Sequence, residues 1–457
     1  MPRTRGVRTA VLSATVVVVI GASGYFMHRA GVFQRWFARD TENTAELDQL
    51  RHAPPAPPRA VVGGGWPQFL GPNRDGHAPA GPFRTDWDKR PPKQVWSAPV
   101  GGGFSSFAVV GGKLYTQDRQ GSTERVLCFD ASTGASLWQH TYSASYEGIG
   151  YDAGPRATPT VEGSRVYVVG ASGQVMCLDT EADQPRVVWQ RDMVRDFEGR
   201  VPQWGYAGSP LLDGENVIVQ PGGRKGAVAA LDKRTGEVRW TAGTNPAGYS
   251  SPTAASIHGV RCVFALTGDA LLCLRSDGTL MGSYAWPTQH QGNIATPQVL
   301  DDYVFISAAY GTGCALLRLK PDGDRLRLEP VYSKRNKPLR THHGTAVAVG
   351  RHLYGFDGTN DDARLTCFSL IDGTPVENWA APRRVRNGKI IAVGGHLVIQ
   401  TQDGELILVE ATPEEYRPVA SVPLGFAGQQ NWASPVLVDG RLYVRGPDQI
   451  VCLNVAP

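Results

Sequence analysis

The sequence predicts an all-β fold: an eight-bladed β-propeller of four-stranded blades whose last blade is closed by an N-terminal strand, preceded by one N-terminal transmembrane helix. Three observations carry this. Short Val/Ile/Leu/Tyr runs alternate with Gly, Asp and Pro punctuation, and 54 of the 457 residues are glycine, a pattern of strands and turns. A four-strand phrase recurs eight times at intervals of about 40 to 50 residues, the period of propeller blades. The final copy lacks its last strand, and a matching strand stands ahead of the first.

In chain order, residues 1–8 form a basic cytoplasmic segment carrying Arg3, Arg5 and Arg8. Residues 9–27, "TAVLSATVVVVIGASGYFM", run without a charge for about the length that spans a bilayer as a helix. This is read as a signal anchor. Cleavage near Ala22-Ser23-Gly24 is the alternative, but Tyr25, Phe26 and Met27 continue the apolar run, and Phe33, Trp36 and Phe37 suit a membrane interface. The leading arginines place the N-terminus in the cytoplasm and the body outside it. Residues 28–65 are expected to be a juxtamembrane segment and linker ending in "HAPPAPPRAVVGGG", a stiff proline spacer with flexible glycines. Residues 66–457 form the propeller.

The clearest repeats are "ATPTVEGSRVYVVGASGQVMCLD" (157–179), "GSPLLDGENVIVQPGGRKGAVAALDKRTGEVRW" (208–240) and "ASPVLVDGRLYVRGPDQIVCLN" (433–454). Each reads Ser/Thr-Pro, strand, Gly turn, strand, Gly turn, strand ending near Cys-Leu-Asp, then in full copies a Thr-Gly turn and a Trp strand. Weaker copies begin at 106, 250, 295, 344 and 389. The missing Trp strand of the eighth copy is supplied by "QVWSAPV" (94–100). Pairing it into the last blade closes the ring and removes an exposed edge.

In D-x-x-T-G-x-x-x-W, the Asp and Thr side chains can bond nearby amides, Gly takes a positive φ, and Trp faces the neighbouring blade. Trp96, Trp138, Trp189, Trp240 and Trp379 are therefore assigned to packing. Cys128, Cys177, Cys273, Cys367 and Cys452 share one strand position and are read as small buried hydrophobes, with neither disulfides nor metal expected. Residues 1–65 hold 8 of the 46 basic and 4 of the 42 acidic side chains, leaving 38 of each. The neutral body gives no case for nucleic-acid binding, which usually needs a basic face.

On these phrases, together with "WPQFLGPNRDG" (66–76), the chain resembles the pyrroloquinoline quinone repeat family over nearly all of residues 66–457. The resemblance implies an eight-bladed propeller in one of two branches. One holds quinoprotein dehydrogenases using the quinone (PQQ) and Ca²⁺; the other resembles the cofactor-free outer-membrane assembly lipoprotein. For the enzyme branch, the chain lacks adjacent cysteines, and its loop candidates, Glu147, Asp152 and Asn293, match no motif. For the other branch, no Cys precedes Cys128, so a lipid anchor is replaced by the helix and stalk.

Sites are expected where the loops entering each innermost strand converge. The residues just ahead of each Ser/Thr-Pro, or its equivalent, are Phe104; Tyr151, Asp152 and Arg156; Trp204 and Tyr206; Tyr249; His290, Gln291 and Asn293; Arg340, His342 and His343; Arg386, Asn387 and Lys389; and Gln430, Asn431 and Trp432. The binding set chosen from them is Tyr151, Arg156, Trp204, Tyr206, Tyr249, His290, Asn293, His342, Arg386, Asn431 and Trp432. Catalytic and metal residues are expected to be none, and so are cofactors. The expected function is a membrane-tethered, exported, non-catalytic interaction scaffold of the cell envelope: a monomeric propeller on the extracytoplasmic side of the membrane, with envelope protein partners. The alternatives are a PQQ and Ca²⁺-dependent dehydrogenase of alcohols or sugars and, more weakly, a carbohydrate or small-ligand sensor.

Overall fold

The computed structural model describes residues 40–52 and 64–457, except Ala80, Asp152, Asn360, Asp361, Ala380, Arg383, Arg384, Arg386, Ala427 and Gln429. The anchor expected at 9–27 lies outside the described residues, and no described helix is long and apolar enough to cross a membrane.

Eight antiparallel sheets succeed one another among the described residues. Blade 1 runs from Ala108–Val110 to Ser136–Ser143, blade 2 from Thr160–Glu162 to Arg186–Asp192, blade 3 from Leu211–Asp213 to Val238–Ala242 and blade 4 from Thr253–Ile257 to Leu280–Ala285. Blade 5 runs from Gln298–Leu300 to Arg325–Arg335, blade 6 from Val347–Val349 to Thr374–Pro375 and blade 7 from Gly388–Val393 to Pro418–Pro423. Blade 8 begins at Val436–Val438, and its outer strand is Lys93–Pro99, paired with Gln449–Asn454 so that Trp96 faces Cys452. The inner strand of blade 1 touches those of blades 2 and 8. The ring is thus closed by a strand from the opposite end of the chain, as the displaced Trp strand predicts.

Apolar clusters form between blades. Blades 2 and 3, 4 and 5, and 6 and 7 each share one. The repeated residues explain how. Cys128, Cys177, Cys367 and Cys452 each pair across the sheet with a Tyr of the second strand. Outer-strand tryptophans lie against these tyrosines, with ring centroids 5.9 Å apart for Tyr115–Trp138, 6.1 Å for Tyr167–Trp189, 5.6 Å for Tyr354–Trp379 and 6.0 Å for Tyr443–Trp96. A small side chain is needed beneath each aromatic pair, and a buried thiol fills that space. All seven cysteines are free and buried.

The Thr-Gly turn has a second purpose that the sequence did not reveal. Asp232 Oδ1 accepts from the amides of Arg234 and Thr235, both at 2.9 Å, and Gly236 has φ 72°. A Cβ at Gly236 would lie 2.6 Å from Trp189 of the preceding blade, one at Gly134 2.5 Å from Trp96, and one at Gly278 2.7 Å from Trp240. The glycine is therefore also the seat of the neighbour's indole. Trp96, Trp189, Trp240 and Trp379 each donate Nε1–H to a backbone carbonyl of the next blade.

Two N-terminal segments do more than link. Within the stretch read as a juxtamembrane segment and linker, Thr41–Glu42 adds a fifth strand to blade 5, and helix α1 (Thr44–His52) follows it. Blade 5 is thus five-stranded. Asn43 Oδ1 accepts from the amide of Glu46 at 3.2 Å, Leu47 is buried with Phe305 and Tyr332, and buried Glu46 pairs with Arg318 and Lys320. Farther on, residues 66–78 run along the inner side of successive blades. Trp66 bridges to Val109 of blade 1 and His77 to Ala392 of blade 7. Between them Arg74 is buried and donates to the carbonyls of Ser209, Pro210 and Pro252.

Candidate functional site

The Ser/Thr residues that open each blade form a belt around the axis. The Ser106 amide donates to Thr158 Oγ1 at 3.2 Å, that of Thr158 to Ser209 Oγ at 2.9 Å, and that of Ser209 to Ser251 Oγ at 2.9 Å. The Thr296 amide repeats the link to Thr345 Oγ1 at 3.0 Å. These hydroxyls satisfy buried amides that have no strand partner, as buried donors must be satisfied. The chain just ahead of the belt is left to line a funnel.

That funnel has an empty volume of about 1020 Å³ and is open to solvent at its mouth. Phe69, from the segment at 66–78, is among its lining residues. Its wall is a nearly continuous collar of rings. Tyr249 lies 5.2 Å from Trp204, which stacks on Tyr310 at 5.9 Å. Tyr310 meets His342 edge-on at 4.9 Å, His342 lies 3.8 Å from His343, and His343 stacks on Trp432 at 4.1 Å. Trp432 then contacts Phe104 at 4.9 Å and Tyr151 at 5.7 Å. The Arg156 guanidinium sits 5.6 Å from the Phe104 ring and donates to the Gly150 carbonyl at 2.9 Å. Large rings with few rotatable bonds offer contact area at little entropic cost.

The charge in the funnel is of one sign. Arg156 and Lys389 line it, and no Asp or Glu is among its described lining residues. Burial lowers the Lys389 ammonium to about 7. Burial, with a smaller contribution from the nearby Lys389 charge, lowers His342 to about 4, so that ring is neutral at pH 7, and its Nε2 is 2.7 Å from Tyr310 Oη. Burial raises Tyr249 to about 12.

Of the expected binding set, Tyr151, Arg156, Trp204, Tyr249, His342 and Trp432 line the funnel. His290 packs on Trp204 and Tyr310 at 5.8 and 5.6 Å, is exposed and is not among the lining residues. Three others are placed elsewhere. Tyr206 is buried between blades and donates to the Pro221 carbonyl at 2.8 Å. Asn293 is buried and donates to the carbonyls of Thr267 and Trp286 at 2.7 and 3.0 Å. Asn431 donates to the Gln402 carbonyl at 2.7 Å. These amides bond within the loops, as does Asn387, bonded to Gln402 Oε1 at 2.9 Å. Arg386 lies outside the described residues, as does Asp152.

Sequence reasoning missed Tyr310 and Phe69. Tyr310 sits in the turn between the second and third strands of blade 5 with φ 53°, and no Ser/Thr-Pro follows it. Phe69 arrives from outside the repeats. His343 and Lys389 stood among the loop candidates but not in the chosen set. For a hard cation the described lining is poor, since Ca²⁺ takes mostly carboxylate and carbonyl oxygens. Glu147 is exposed and not among the lining residues, and the Asn293 side chain is already spent. Among the described residues no group of three His, Cys, Asp or Glu could hold a metal ion.

The family model described as outer membrane protein assembly factor BamB matches residues 122–381, more than half of the chain. The outer membrane protein assembly factor BamB of Burkholderia pseudomallei (strain K96243) is 27% identical over 355 residues, covering 68% of this chain and 86% of that protein. Among solved structures, the quinohemoprotein alcohol dehydrogenase of Comamonas testosteroni is similar at TM-score 0.61 and 15% identity, covering 89% of this chain and 82% of that one. BamB of Moraxella catarrhalis is similar at TM-score 0.53 and 15% identity, covering 79% of this chain and 97% of that one. At such identity these structures share the fold, and an enzyme and an assembly factor stand side by side among them. On the family match, the chain belongs to the BamB family of quinone-repeat β-propellers.

Proposed function

We propose that the protein is a membrane-tethered, exported scaffold of the cell envelope that binds another envelope protein through the aromatic collar of its funnel and performs no chemistry. The observation that carries this reading is the collar: Trp204, Tyr310, His342, His343 and Trp432 form one run of touching rings around an open mouth. Preorganised aromatics of this kind dominate the energetics of protein contacts. Family membership supports an envelope role, and the apolar run at 9–27 supports a tether. The described lining, free of carboxylates, gives no support to a Ca²⁺-assisted dehydrogenase.

The test is crosslinking in whole cells followed by purification of the full-length chain. Trp204→Ala and Trp432→Ala together are expected to remove at least one crosslinked partner while leaving the propeller folded. An unchanged set of partners would place the contact elsewhere. In parallel, titration of the purified protein with the quinone and Ca²⁺ is expected to give neither a bound chromophore nor dye reduction with alcohols or aldoses. Stoichiometric uptake with turnover would overturn the non-catalytic reading.

A further inference from the structure

Lys389 is out of place for a structural residue. It stands at the start of the inner strand of blade 7, Gly388–Val393, and lines the funnel. Among the described residues its ammonium has no hydrogen bond or ion pair, and burial is what lowers its pKa to about 7. Elsewhere in the molecule buried cations are held by several acceptors: Arg445 donates to the carbonyls of Ser105, Gln117 and Gly101, and Arg74 to three others. Lys389 is half-buried in the wall of the open funnel, and an ammonium drawn partly out of water without an acceptor costs stability until something completes it. The site has space for what would do so, because Lys389 lines the open funnel.

Resting on the scaffold reading above, we propose that the funnel takes an acidic side chain from a peptide segment of the partner, its carboxylate pairing with the Lys389 ammonium and its apolar neighbours packing on the collar. The single sign of charge in the funnel selects an anion. The other titratable groups among the described lining residues are Tyr151, Arg156, Tyr249, Tyr310, His342 and His343, and none is a carboxylic acid. A cation would be repelled, and a neutral sugar would leave the ammonium unpaired. A phosphate dianion needs several donors, whereas Arg156 already donates to the carbonyls of Gly150, Tyr151 and Gly154. One ammonium matches one carboxylate.

The pairing has a proton signature. A carboxylate beside Lys389 favours its charged form, so binding at pH 7 to 8 draws in a proton. The groups around it contribute little to this uptake in that range, since His342 stays neutral, Arg156 stays charged, and Tyr249 ionises only near 12. Comparing variants at Lys389 alone isolates its own share of the uptake.

The experiment uses the full-length protein in detergent with two N-acetylated, C-amidated peptides, Phe-Leu-Glu-Leu-Phe and its Gln counterpart, and with 3-phenylpropionate as a free acid. Calorimetry in buffers of different ionisation enthalpy reads affinity and proton uptake together. The Glu peptide is expected to bind at least tenfold more tightly than the Gln peptide and the free acid, with uptake of up to one proton. Lys389→Met should abolish the preference and the uptake, while Lys389→Arg, which carries a fixed charge, should keep the preference and lose the uptake. Circular dichroism checks both variants for folding, and either folded variant suffices. Equal binding of Glu and Gln peptides, or a preference that survives in Lys389→Met, would overturn the proposal; a free acid that binds as tightly as the peptide would overturn the peptide occupant. Retention of the crosslinked partner in Lys389→Met, alongside its loss in the double Trp variant, would refute the carboxylate and leave the scaffold standing.

Discussion

Replacing Gly236 by alanine places a methyl group where the outer Trp of blade 2 already lies. The added Cβ would be 2.6 Å from Trp189 Cδ2 and 2.8 Å from its Cγ and Cε3, and the residue keeps φ 72°. The left-handed backbone costs about 1–2 kcal/mol for a residue with a Cβ. Forcing an extra carbon into a packed contact costs about 1–3 kcal/mol more. The total expected loss is about 2–5 kcal/mol. Gly214, on a turn of the same blade with φ 60°, has nothing within 4 Å of its Cβ position. Gly214→Ala should therefore show the backbone cost alone. The assay is urea unfolding followed by circular dichroism, read as midpoint shifts at unchanged slope. Gly236→Ala should exceed Gly214→Ala by about 1–3 kcal/mol. If the two agree within about 0.5 kcal/mol, the indole is not seated on that glycine, and the account of the Thr-Gly turn as a joint between blades fails.

Arg74→Ala removes the donors to the carbonyls of Ser209, Pro210 and Pro252. A loss of about 2–4 kcal/mol in urea unfolding is expected from leaving buried acceptors unmade, and a loss below about 0.5 kcal/mol would deny the segment its role in bracing the ring. Lys389, lowered to about 7 by burial, binds its proton less tightly when folded than when unfolded, near 10.4. Its penalty is therefore full below pH 7 and relieved as pH rises to about 10. Lys389→Met should stabilise the protein at pH 7 by at least about 1.4 kcal/mol, the equivalent of a tenfold change in proton affinity, and the gain should shrink by pH 9.5; a gain independent of pH would be one of packing only. All seven cysteines are buried, so iodoacetamide should add no mass to the native protein and seven adducts after denaturation under reducing conditions. Glu46→Gln leaves Arg318 and Lys320 without their buried partner. Amide exchange at 41–52 should then speed up by about tenfold, an opening free energy lower by about 1.4 kcal/mol, with blades 1 to 3 unchanged.

The eight blades were legible in the sequence because every blade must solve the same packing problem with the same short list of residues. Trp96 ahead of the first repeat could be matched to the eighth because its partner Cys452 recurs in Cys128 and Cys177, each beside a Trp. Parts of the funnel were legible for the complementary reason. Trp204, Tyr249, His342 and Trp432 break the repeat just ahead of the belt, where packing makes no demand. The same rule also chose Asn293 and Asn431, whose amides bond to backbone carbonyls. An amide that breaks the repeat has two uses, and whether it faces a carbonyl of its own loop or the cavity depends on a turn geometry that side-chain identity does not encode. Tyr310 was invisible because a hairpin turn carried it to the collar. The strap at 41–52 was hidden by its composition, since Glu42, Glu46, Asp48 and Arg51 look like a solvated stretch until Lys334, Arg318 and Lys320 are placed opposite.

The collar also bears on how its members should be tested. Trp204 touches Tyr249, His290 and Tyr310, and Trp432 touches Phe104, Tyr151 and His343, so the two indoles share no direct partner among these rings. They are joined through Tyr310, His342 and His343. Residues that act through a shared element are non-additive, while independent ones add within about 0.3–0.5 kcal/mol. If a partner's segment spans the mouth, removing either Trp weakens binding while the other side still holds, and the double variant loses nearly the sum. If instead a ligand sits on one side, against Lys389, one Trp carries the loss and the other is silent. The double-mutant cycle at Trp204 and Trp432 therefore measures how much of the mouth is occupied, which no single substitution can report.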